Sequence, residues 1–293
     1  MVHGKIALAL HKPLLPNRQH FLGLYGRSRR IRQICAMPNQ TLSHALSVLR
    51  QFDARHAEWS VTGLSKHTGL SKSHVSKILK EFRTEGFLVQ NPSSRRYRVG
   101  PTAVAVSAGY YSGSDIVRHA TDPMRDLTQR TGATTTLNVI NNGEVLFIAS
   151  REAGQSPQLT WHVGSYIPLH ATAAGKVAAA FALQPGSSHS LSSAVLSSYT
   201  PSTIRDIPTL MRQLTDIRRQ GLAFTVGEST YGLAGMAAPI LDDAEHVVAA
   251  ISVLYPATRA EAPAHRKELI SAVRNTARLI SNALGAMHYP YHN

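Results

Sequence analysis

The N-terminal fold is decided by Ser60-Val-Thr-Gly-Leu-Ser-Lys-His-Thr-Gly-Leu-Ser-Lys-Ser-His-Val-Ser-Lys-Ile-Leu-Lys80. Gly69 divides this stretch into two short helical patterns, because glycine readily adopts the left-handed backbone that ends a helix. Ser71 is a good N-cap residue for the second pattern. Its apolar positions recur at three- and four-residue steps, which is typical of a helix with one buried face. Two short helices joined by a tight turn predict a helix-turn-helix.

The outward face of the second helix carries hydrogen-bond donors near its N-terminal end, where a recognition helix meets base edges. We expect base or near-base contacts from Lys72, Ser73, His74 and Lys77, and the cap residue Ser71 is also a candidate DNA-binding residue. Lys66 and Lys80 are expected to contact phosphates. The alternative is an ordinary solvated helix face.

The same pattern extends on both sides of this stretch. A preceding helix is predicted from an apolar stripe made of Leu42, Ala45, Leu46, Leu49 and Phe52. Downstream, Phe87-Leu-Val and Tyr97-Arg-Val flank a turn-rich tip that carries Arg95 and Arg96. Two short strands around such a tip predict a hairpin, so residues 39–100 are expected to form a winged helix-turn-helix with a basic wing.

Positive charge is concentrated at the start of the chain. Residues 1–38 contain seven Lys/Arg and no Asp/Glu, residues 39–100 contain ten and four, and residues 101–293 contain fourteen and thirteen. Binding a polyanion requires clustered cations, whereas a solvated basic surface is the alternative. With a length of 293 residues and 43% hydrophobic content, the chain is expected to hold two domains, of which the basic first one binds double-stranded DNA.

Residues 1–38 are expected to form a basic flexible arm. An arm on DNA, a transit peptide and sequence upstream of a true start at Met37 are the alternatives, of which we favour the last. The single cysteine, Cys35, excludes an internal disulfide framework, so we expect a reducing compartment, the cytoplasm. The longest apolar stretch, Val177 to Leu183, is shorter than the ~20 residues of a membrane span, and no membrane partner is expected.

The remainder of the chain mixes helix and strand patterns. Residues 101–115 are apolar and rich in small residues, which predicts a linker helix. A helical stripe then runs from Ile116 to Gly132, with an interruption expected at Asp122-Pro123. Two β-rich runs flank Asn141-Asn-Gly143, a hairpin signal that predicts antiparallel pairing. Residues 116–293 are therefore predicted to be an α+β domain.

These motifs together resemble the isocitrate lyase regulator (IclR) family. The block from Thr41 to Gly100 is similar to its DNA-binding domain, and Ile167-Pro-Leu-His-Ala-Thr-Ala-Ala-Gly-Lys176 is similar to its helix entry. The segments Gly227-Glu228, Ala237-Ala-Pro-Ile-Leu-Asp242 and Ala249-Ala-Ile-Ser252 resemble its C-terminal signature. The resemblance implies an effector-binding α/β domain related to the GAF and profilin-like folds, with a mostly antiparallel sheet. It also implies a homodimer or a dimer of dimers, paired partly through the linker helix.

The resemblance also implies a pocket for a small-molecule effector. Its candidate contacts are Thr172, Ala173, Ala174, Gly175, Glu228, Gly235, Met236, Ser252 and Leu254. Many relatives have Cys at the position of Gly235 and a hydroxyl at that of Leu254, so we expect a roomier or less polar pocket here. An aromatic or aliphatic carboxylic acid is the expected effector class. Close packing of small residues is the alternative role for the turn before Lys176, and Glu228 could contact the ligand or cap local structure.

An enzyme with an added DNA-binding domain is the main rival. A phosphate loop before Lys176 is rejected, because His170 occupies the position of its first glycine and Val177 replaces its Ser/Thr. The chain has no Gly-x-Ser-x-Gly and no His-Glu-x-x-His motif. His162 and His170 are expected to be core or surface residues, so neither catalysis nor a cofactor or metal is predicted. A ligand-independent DNA-binding protein, the third class, would not need the large neutral domain.

Overall fold

The computed structural model describes residues 39–53, 56–141, 143–154, 161–182, 196–260 and 262–291, and the arm 1–38 lies outside this part. Contacts divide the chain into two compact units, with the boundary between Arg50 and Gln51. The first unit contributes helix α1, Gln40–Leu49. Asn39 caps α1, because its Oδ1 accepts a hydrogen bond from the Leu42 N–H at 3.2 Å.

The burial of α1 corrects part of the predicted stripe. Leu42 and Leu46 are 56% and 50% exposed, whereas Val48, outside the stripe, is fully buried. The three- and four-residue spacing identified a helix correctly, and the other stripe members, Ala45, Leu49 and Phe52, are half-buried. Two leucines one turn apart on an exposed face leave apolar area open to solvent in a single chain.

The second unit begins with the DNA-reading elements. Strand β1 (Glu58–Trp59), helix α2 (Val61–Thr68), helix α3 (Lys72–Thr84), and strands β2 (Leu88–Gln90) and β3 (Tyr97–Val99) follow in order. The three strands form an antiparallel sheet in the order β1-β3-β2. A small core holds this part together, and its buried members are Leu64, Val75, Ile78, Leu79, Leu88 and Tyr97. The helix-turn-helix and the hairpin wing are therefore both present.

Two helices connect these elements to the larger sheet. Helix α4 (Pro101–Gly113) is the predicted linker helix, and none of its residues is buried. Helix α5 (Asp115–Thr131) continues through Pro123, so the expected interruption does not occur. The helix tolerates Pro123, although proline lacks the N–H that would bond to the preceding turn. Ala120, Met124 and Leu127 form its buried face.

The larger sheet has six strands, namely β4 (Thr134–Asn141), β5 (Glu144–Arg151), β6 (Tyr166–Ile167), β7 (Ala223–Val226), β8 (Leu233–Leu241) and β9 (Val247–Pro256). Their order is β6-β5-β4-β9-β8-β7, and every neighbouring pair is antiparallel. The fold is thus the predicted α+β arrangement with an antiparallel sheet. A register shift in the β4–β5 pairing leaves Ile148 without an opposite residue.

Helices cover both faces of this sheet. On one face, α5 and the last helix, α8 (Pro263–Ala283), pack against Met236, Ala238 and Ile240 of β8. On the other face, α6 (Ala173–Ala182) and α7 (Ile207–Gln220) pack against Ala237 and Ala250. Alternation of side chains along β8 assigns neighbouring residues to opposite cores. A short 3₁₀ helix, Ala257–Arg259, connects β9 to α8.

The last described residues return across the domain as a tail. The hydroxyl of Tyr289 donates to the Pro239 carbonyl at 3.0 Å. Gly221 ends α7 with a φ of 61°, and a Cβ at this position would lie 2.0 Å from Cγ of Tyr291. The ring of Tyr291 also lies 5.8 Å from that of Phe181 in α6. The tail therefore holds the ends of both helices on the α6–α7 face. No described helix is long and apolar enough to cross a membrane.

Candidate DNA interface and effector cavity

The recognition helix α3 begins at a well-formed cap. Ser71 Oγ accepts the His74 N–H at 3.3 Å and lies 3.2 Å from Ser73 Oγ. Lys72, Ser73 and Lys77 are exposed, and His74 is half-buried. The exposed N-terminal face of α3 therefore presents ammonium and hydroxyl donors. Lys66 on α2 and Lys80 further along α3 are exposed as well.

The wing is organised by backbone hydrogen bonds. The Asn91 N–H donates to the Arg96 carbonyl at 2.8 Å, and Asn91 Oδ1 accepts the N–H groups of Ser93 and Ser94. Arg95 adopts a left-handed conformation with a φ of 57°, which is uncommon for a residue other than glycine. Arg95 and Arg96 are both exposed, so the tip presents two adjacent guanidinium groups to solvent.

Two further cations belong to the same surface and were missed in the sequence. Arg83, in the last turn of α3, donates to Gln90 Oε1 at 3.1 Å, and Gln90 Nε2 donates to the Arg95 carbonyl at 3.0 Å. These bonds connect the end of the recognition helix to the wing. Arg98 on β3 is exposed, and its side chain lies on the opposite face of the strand from the buried Tyr97. Strand alternation after Tyr97 could have predicted the position of Arg98.

The larger domain contains a cavity between the start of α6 and the strands β4, β8 and β9. We call it the central cavity, and its volume is about 40 Å³. Its lining residues are Thr136, Asn138, Phe147, Trp161, Ile167, Thr172, Ala173, Ala174, Thr225, Ser229, Leu233, Ala234, Gly235, Ser252 and Leu254. Aromatic, aliphatic and hydroxyl side chains thus meet in one cavity, as is typical of small-molecule sites.

A buried polar cluster forms one wall of the central cavity. Thr136 Oγ1 and Ser252 Oγ lie 2.6 Å apart, and Asn138 Nδ2 lies 3.0 and 3.2 Å from these two oxygens. Because the two hydroxyl oxygens lie so close together, they share one amide proton, and one hydroxyl donates to the other. One amide proton, one hydroxyl proton and the Asn138 carbonyl oxygen then remain for a ligand. The cluster can therefore donate to a carboxylate oxygen.

The first turn of α6 borders the same cavity. Thr172 Oγ1 accepts the Gly175 N–H at 3.0 Å and donates to the Pro168 carbonyl at 2.8 Å. Ala173 and Ala174 begin the helix and line the cavity. The N-terminal end of a helix carries partial positive charge, which favours an anion. An anionic group could therefore lie between this turn and the polar cluster.

Of the two alternatives expected at Gly235 and Leu254, a roomier or a less polar pocket, the contacts of Gly235 favour the second. A Cβ at Gly235 would lie 3.1 Å from Thr225 Oγ1 and 3.2 Å from Leu254 Cδ2. Both neighbours therefore already occupy the space that a larger residue would need. The side chain of Leu254 is apolar, so the wall is less polar at this position, as expected.

A buried ion pair lies next to the cavity-lining segments. Lys176 is fully buried in α6, and its Nζ lies 2.7 Å from both carboxylate oxygens of Glu228 and 2.7 Å from Gln213 Oε1. Burial lowers the pKa of Lys176 and raises that of Glu228, and their mutual attraction opposes both shifts. The three acceptors match the three protons of the Lys176 ammonium group. Because Glu228 precedes Ser229, the ion pair also connects α6 to the loop that contains Ser229.

Three predicted effector contacts lie outside the central cavity. Glu228 pairs with Lys176 instead of facing it, and Gly175 packs so closely that a Cβ would lie 2.1 Å from the Pro168 carbonyl oxygen. Met236 is fully buried on the opposite face of the sheet, because strand alternation turns it away from Gly235. The cavity brings together the other six, Thr172, Ala173, Ala174, Gly235, Ser252 and Leu254.

Most of the opposite wall was missed in the sequence. Thr136 and Asn138 alternate along β4, and Phe147 lies on the neighbouring β5. Alternation within the predicted hairpin could have placed Thr136 and Asn138 on one face, but it could not show which side of the sheet that face is.

Of the two histidines expected in the core or on the surface, His162 and His170, the second is buried, and its ring nitrogen lies 2.9 Å from the Ser197 carbonyl oxygen. Within the described ranges, no group of three or more His, Cys, Asp or Glu side chains is placed to hold a metal.

A helix-turn-helix with a basic wing, joined to a domain with a small-molecule cavity, defines a DNA-binding transcriptional regulator with an effector-binding domain. Residues 41–92 match the IclR helix-turn-helix domain, and residues 108–282 match the bacterial transcriptional regulator IclR C-terminal domain. The chain belongs to the IclR family of transcriptional regulators.

Individual relatives agree with this assignment. The transcriptional repressor AllR of Escherichia coli K12 is 30% identical over 271 residues, which cover 90% of this chain and 97% of AllR. The regulator XynR of the same organism is 31% identical over 214 residues, covering 73% and 85% of the two chains. The fold is similar to an ICLR regulator structure from Silicibacter sp. TM1040, with a TM-score of 0.78, 23% identity and coverage of 86% and 99%.

Proposed function

We propose that this regulator binds an operator with α3 and the wing, and that a small organic acid in the central cavity changes its affinity for that DNA. The observation that carries the proposal is the placement of Thr136, Asn138 and Ser252 opposite the first turn of α6. Both sides of the cavity favour a carboxylate, and the rest of its lining is apolar or aromatic. The protein would act without catalysing a reaction, on cytoplasmic DNA.

The DNA half of the proposal is supported by exposure and charge. Lys72, Ser73, His74 and Lys77 lie at or near the start of α3, where side chains reach base edges. The other candidates, Lys66, Lys80, Arg95 and Arg96, are exposed cations suited to phosphates. None of the ion pairs among the described residues uses a lysine or arginine from 56–100. These charges are therefore available to a polyanion.

The effector half is supported by the shape of the cavity. Phe147 and Trp161 supply aromatic surface, and Ile167, Leu233 and Leu254 supply aliphatic surface. A ligand with a carboxylate and an apolar body would satisfy both kinds of wall. Aromatic and aliphatic monocarboxylic acids fit this description, and such acids are common intermediates of catabolism. We therefore propose a catabolic operon as the target.

Pairing of two chains is also part of the proposal. Val104 and Val106 on α4 are 67% and 61% exposed, which leaves an apolar surface for a second linker helix. A homodimer would match an operator with two half-sites, and a dimer of dimers would match two operators. The similarity to AllR, a transcriptional repressor, supports repression as the direction of control.

A gel-shift series tests the proposal. The purified protein is incubated at fixed salt with the intergenic DNA beside its own gene, and with a shuffled sequence of equal length. Benzoates and short aliphatic acids are then titrated into the specific complex. We expect specific binding that one class of acid weakens at least about tenfold, equivalent to about 1.4 kcal/mol of coupling.

The uncharged amides of the same acids are the matched controls, because they preserve shape and remove the carboxylate. Equal effects of an acid and its amide would contradict the carboxylate assignment. Specific binding that none of the acids alters would contradict the effector half alone. Equal affinity for specific and shuffled DNA would contradict the operator half.

A further inference from the structure

A second cavity lies on the other face of strands β4 and β5, between these strands and helices α4 and α5. We call it the linker cavity, and its volume is about 300 Å³. Its lining residues are Tyr111, Val117, Thr121, Met124, Leu137, Ile148, Ala149, Ser150, Arg151 and Val163. Its size falls within the range of about 300–1,000 Å³ that is common for ligand pockets.

The two cavities share the same pair of strands. Thr136 and Asn138 of β4 line the central cavity, whereas Leu137 between them lines the linker cavity. On β5, Phe147 lines the central cavity, and Ile148 lines the linker cavity. A ligand on one side would therefore contact the strands whose opposite side holds the effector.

An irregularity in the sheet borders the linker cavity. Ile148 is the extra residue at the β-bulge in β5, and bulges leave backbone groups without a strand partner. The Tyr111 hydroxyl, from linker helix α4, donates to the Ile148 carbonyl at 2.8 Å. The end of the linker helix is thus bonded directly to the rim of this cavity.

The chemistry of the lining indicates the kind of ligand. Val117, Met124, Leu137 and Ile148 form an apolar wall, and Arg151 supplies the charge among the described lining residues. One Arg151 nitrogen donates to the Ser150 carbonyl at 2.9 Å, and Arg151 takes part in none of the ion pairs of the described residues. A guanidinium has five N–H donors and forms strong bonds with carboxylates.

We propose that the linker cavity is a second ligand site, which binds an amphipathic monocarboxylate with its carboxylate on Arg151 and its apolar chain against Met124, Leu137 and Ile148. A medium-length fatty acid has the required combination of one anionic end and a flexible apolar body. Because Tyr111 borders this site, an occupied linker cavity would act directly on the linker helix. This site differs from the proposed effector site, and its test needs no DNA.

Isothermal titration calorimetry of the full-length protein with sodium octanoate tests the proposal at fixed ionic strength. We expect binding that Arg151→Gln weakens at least about tenfold, because a charge-assisted bond is lost. Arg130→Gln removes an exposed arginine that lines neither cavity and is the matched control. Ala149→Phe fills the linker cavity and should abolish the octanoate binding that depends on Arg151, whereas Ala174→Phe fills the central cavity and should leave that Arg151-dependent binding in place.

Octanol, which has the same chain without the charge, should bind at least about tenfold more weakly than octanoate. The proposal is overturned if the wild-type protein does not bind octanoate at millimolar concentration, as would occur if a second copy of the chain covered the cavity. Equal binding by the wild type and by Arg151→Gln overturns it as well. Loss of binding in Ala174→Phe with unchanged binding in Arg151→Gln would assign octanoate to the central cavity instead. Unfolding curves of each variant confirm that it is folded.

Discussion

Ala174 and Gly175 are neighbours in α6, but a larger side chain would meet different surroundings at each position. Ala174 lines the central cavity, so Ala174→Leu should fill space that the effector needs. We expect loss of the response to the acid with DNA affinity within about twofold of the wild type, measured by the same gel shift. Gly175→Ala should instead weaken folding, because a Cβ would lie 2.8 Å from the Leu169 Cα and closer still to the Pro168 carbonyl oxygen. Loss of DNA binding in Ala174→Leu would indicate misfolding and contradict this prediction.

Residues that read bases and residues that bind phosphates should respond differently to replacement. We expect Lys77→Ala to cost about 1–3 kcal/mol on the operator and to relax preference at one base pair. Arg95→Ala should weaken specific and shuffled DNA alike and reduce the salt slope by about one. Fluorescence anisotropy over a salt series measures both effects. Unchanged sequence preference in both Lys77→Ala and His74→Ala at fixed salt would remove them from base readout.

The Lys176–Glu228 pair is expected to show strong non-additivity. Lys176→Met leaves Glu228 buried without its cation, which should cost about 3–5 kcal/mol of unfolding free energy. The double variant Lys176→Met with Glu228→Gln should recover much of this loss, because no unpaired charge remains. Urea unfolding at one fixed protein concentration measures both variants. A double variant less stable than either single variant would contradict the prediction.

At the scale of single elements, Tyr111 in α4 is expected to couple the linker helix to the sheet. Its hydroxyl bonds to the bulged Ile148, next to Phe147 in the central cavity. Tyr111→Phe should reduce the coupling between acid and operator by about 1 kcal/mol, while each ligand alone binds nearly as before. Tyr110→Phe is the matched control on the same helix. Equal coupling in both variants would show that this hydrogen bond transmits nothing.

Periodicity predicted the elements better than it predicted their orientation. The order of helices and strands and the antiparallel pairing around Asn141 and Gly143 could be predicted from the sequence, because those signals are local. The exposure of Leu42 and Leu46 on α1 and the burial of Met236 on the face away from the central cavity could not, because both depend on which surfaces meet in space. The predicted interruption at Pro123 does not occur, because packing of the surrounding α5 residues outweighs one missing hydrogen bond.

The candidate site was only half predictable for a similar reason. Motif resemblance located the start of α6 and residues Gly235, Ser252 and Leu254 of the central cavity. The opposing residues Thr136 and Asn138 come from a strand that no motif marks. The linker cavity has no sequence signal, because a β-bulge and a helix about 37 residues earlier create it together.

At the scale of the whole molecule, the exposed face of α4 should control assembly. Val104→Asp places a charge on an apolar surface that a second chain would cover, so the dimer dissociation constant should rise at least about tenfold. Gln129→Asp adds the same charge to an exposed position of α5 and is the matched control. Sedimentation velocity over a concentration series measures both variants. Equal dissociation constants would exclude Val104 from the pairing surface.

The position of the tail within the fold also affects the synthesis of this protein. The central pair of the large sheet joins β4 to β9, and Tyr289 and Tyr291 then hold Pro239 and the end of α7. A ribosome translating this message would have to pass β9 before the walls of the central cavity could assemble, since long-range pairing cannot precede the residues that make it. A nascent chain could therefore expose its DNA-reading helices well before its central cavity exists.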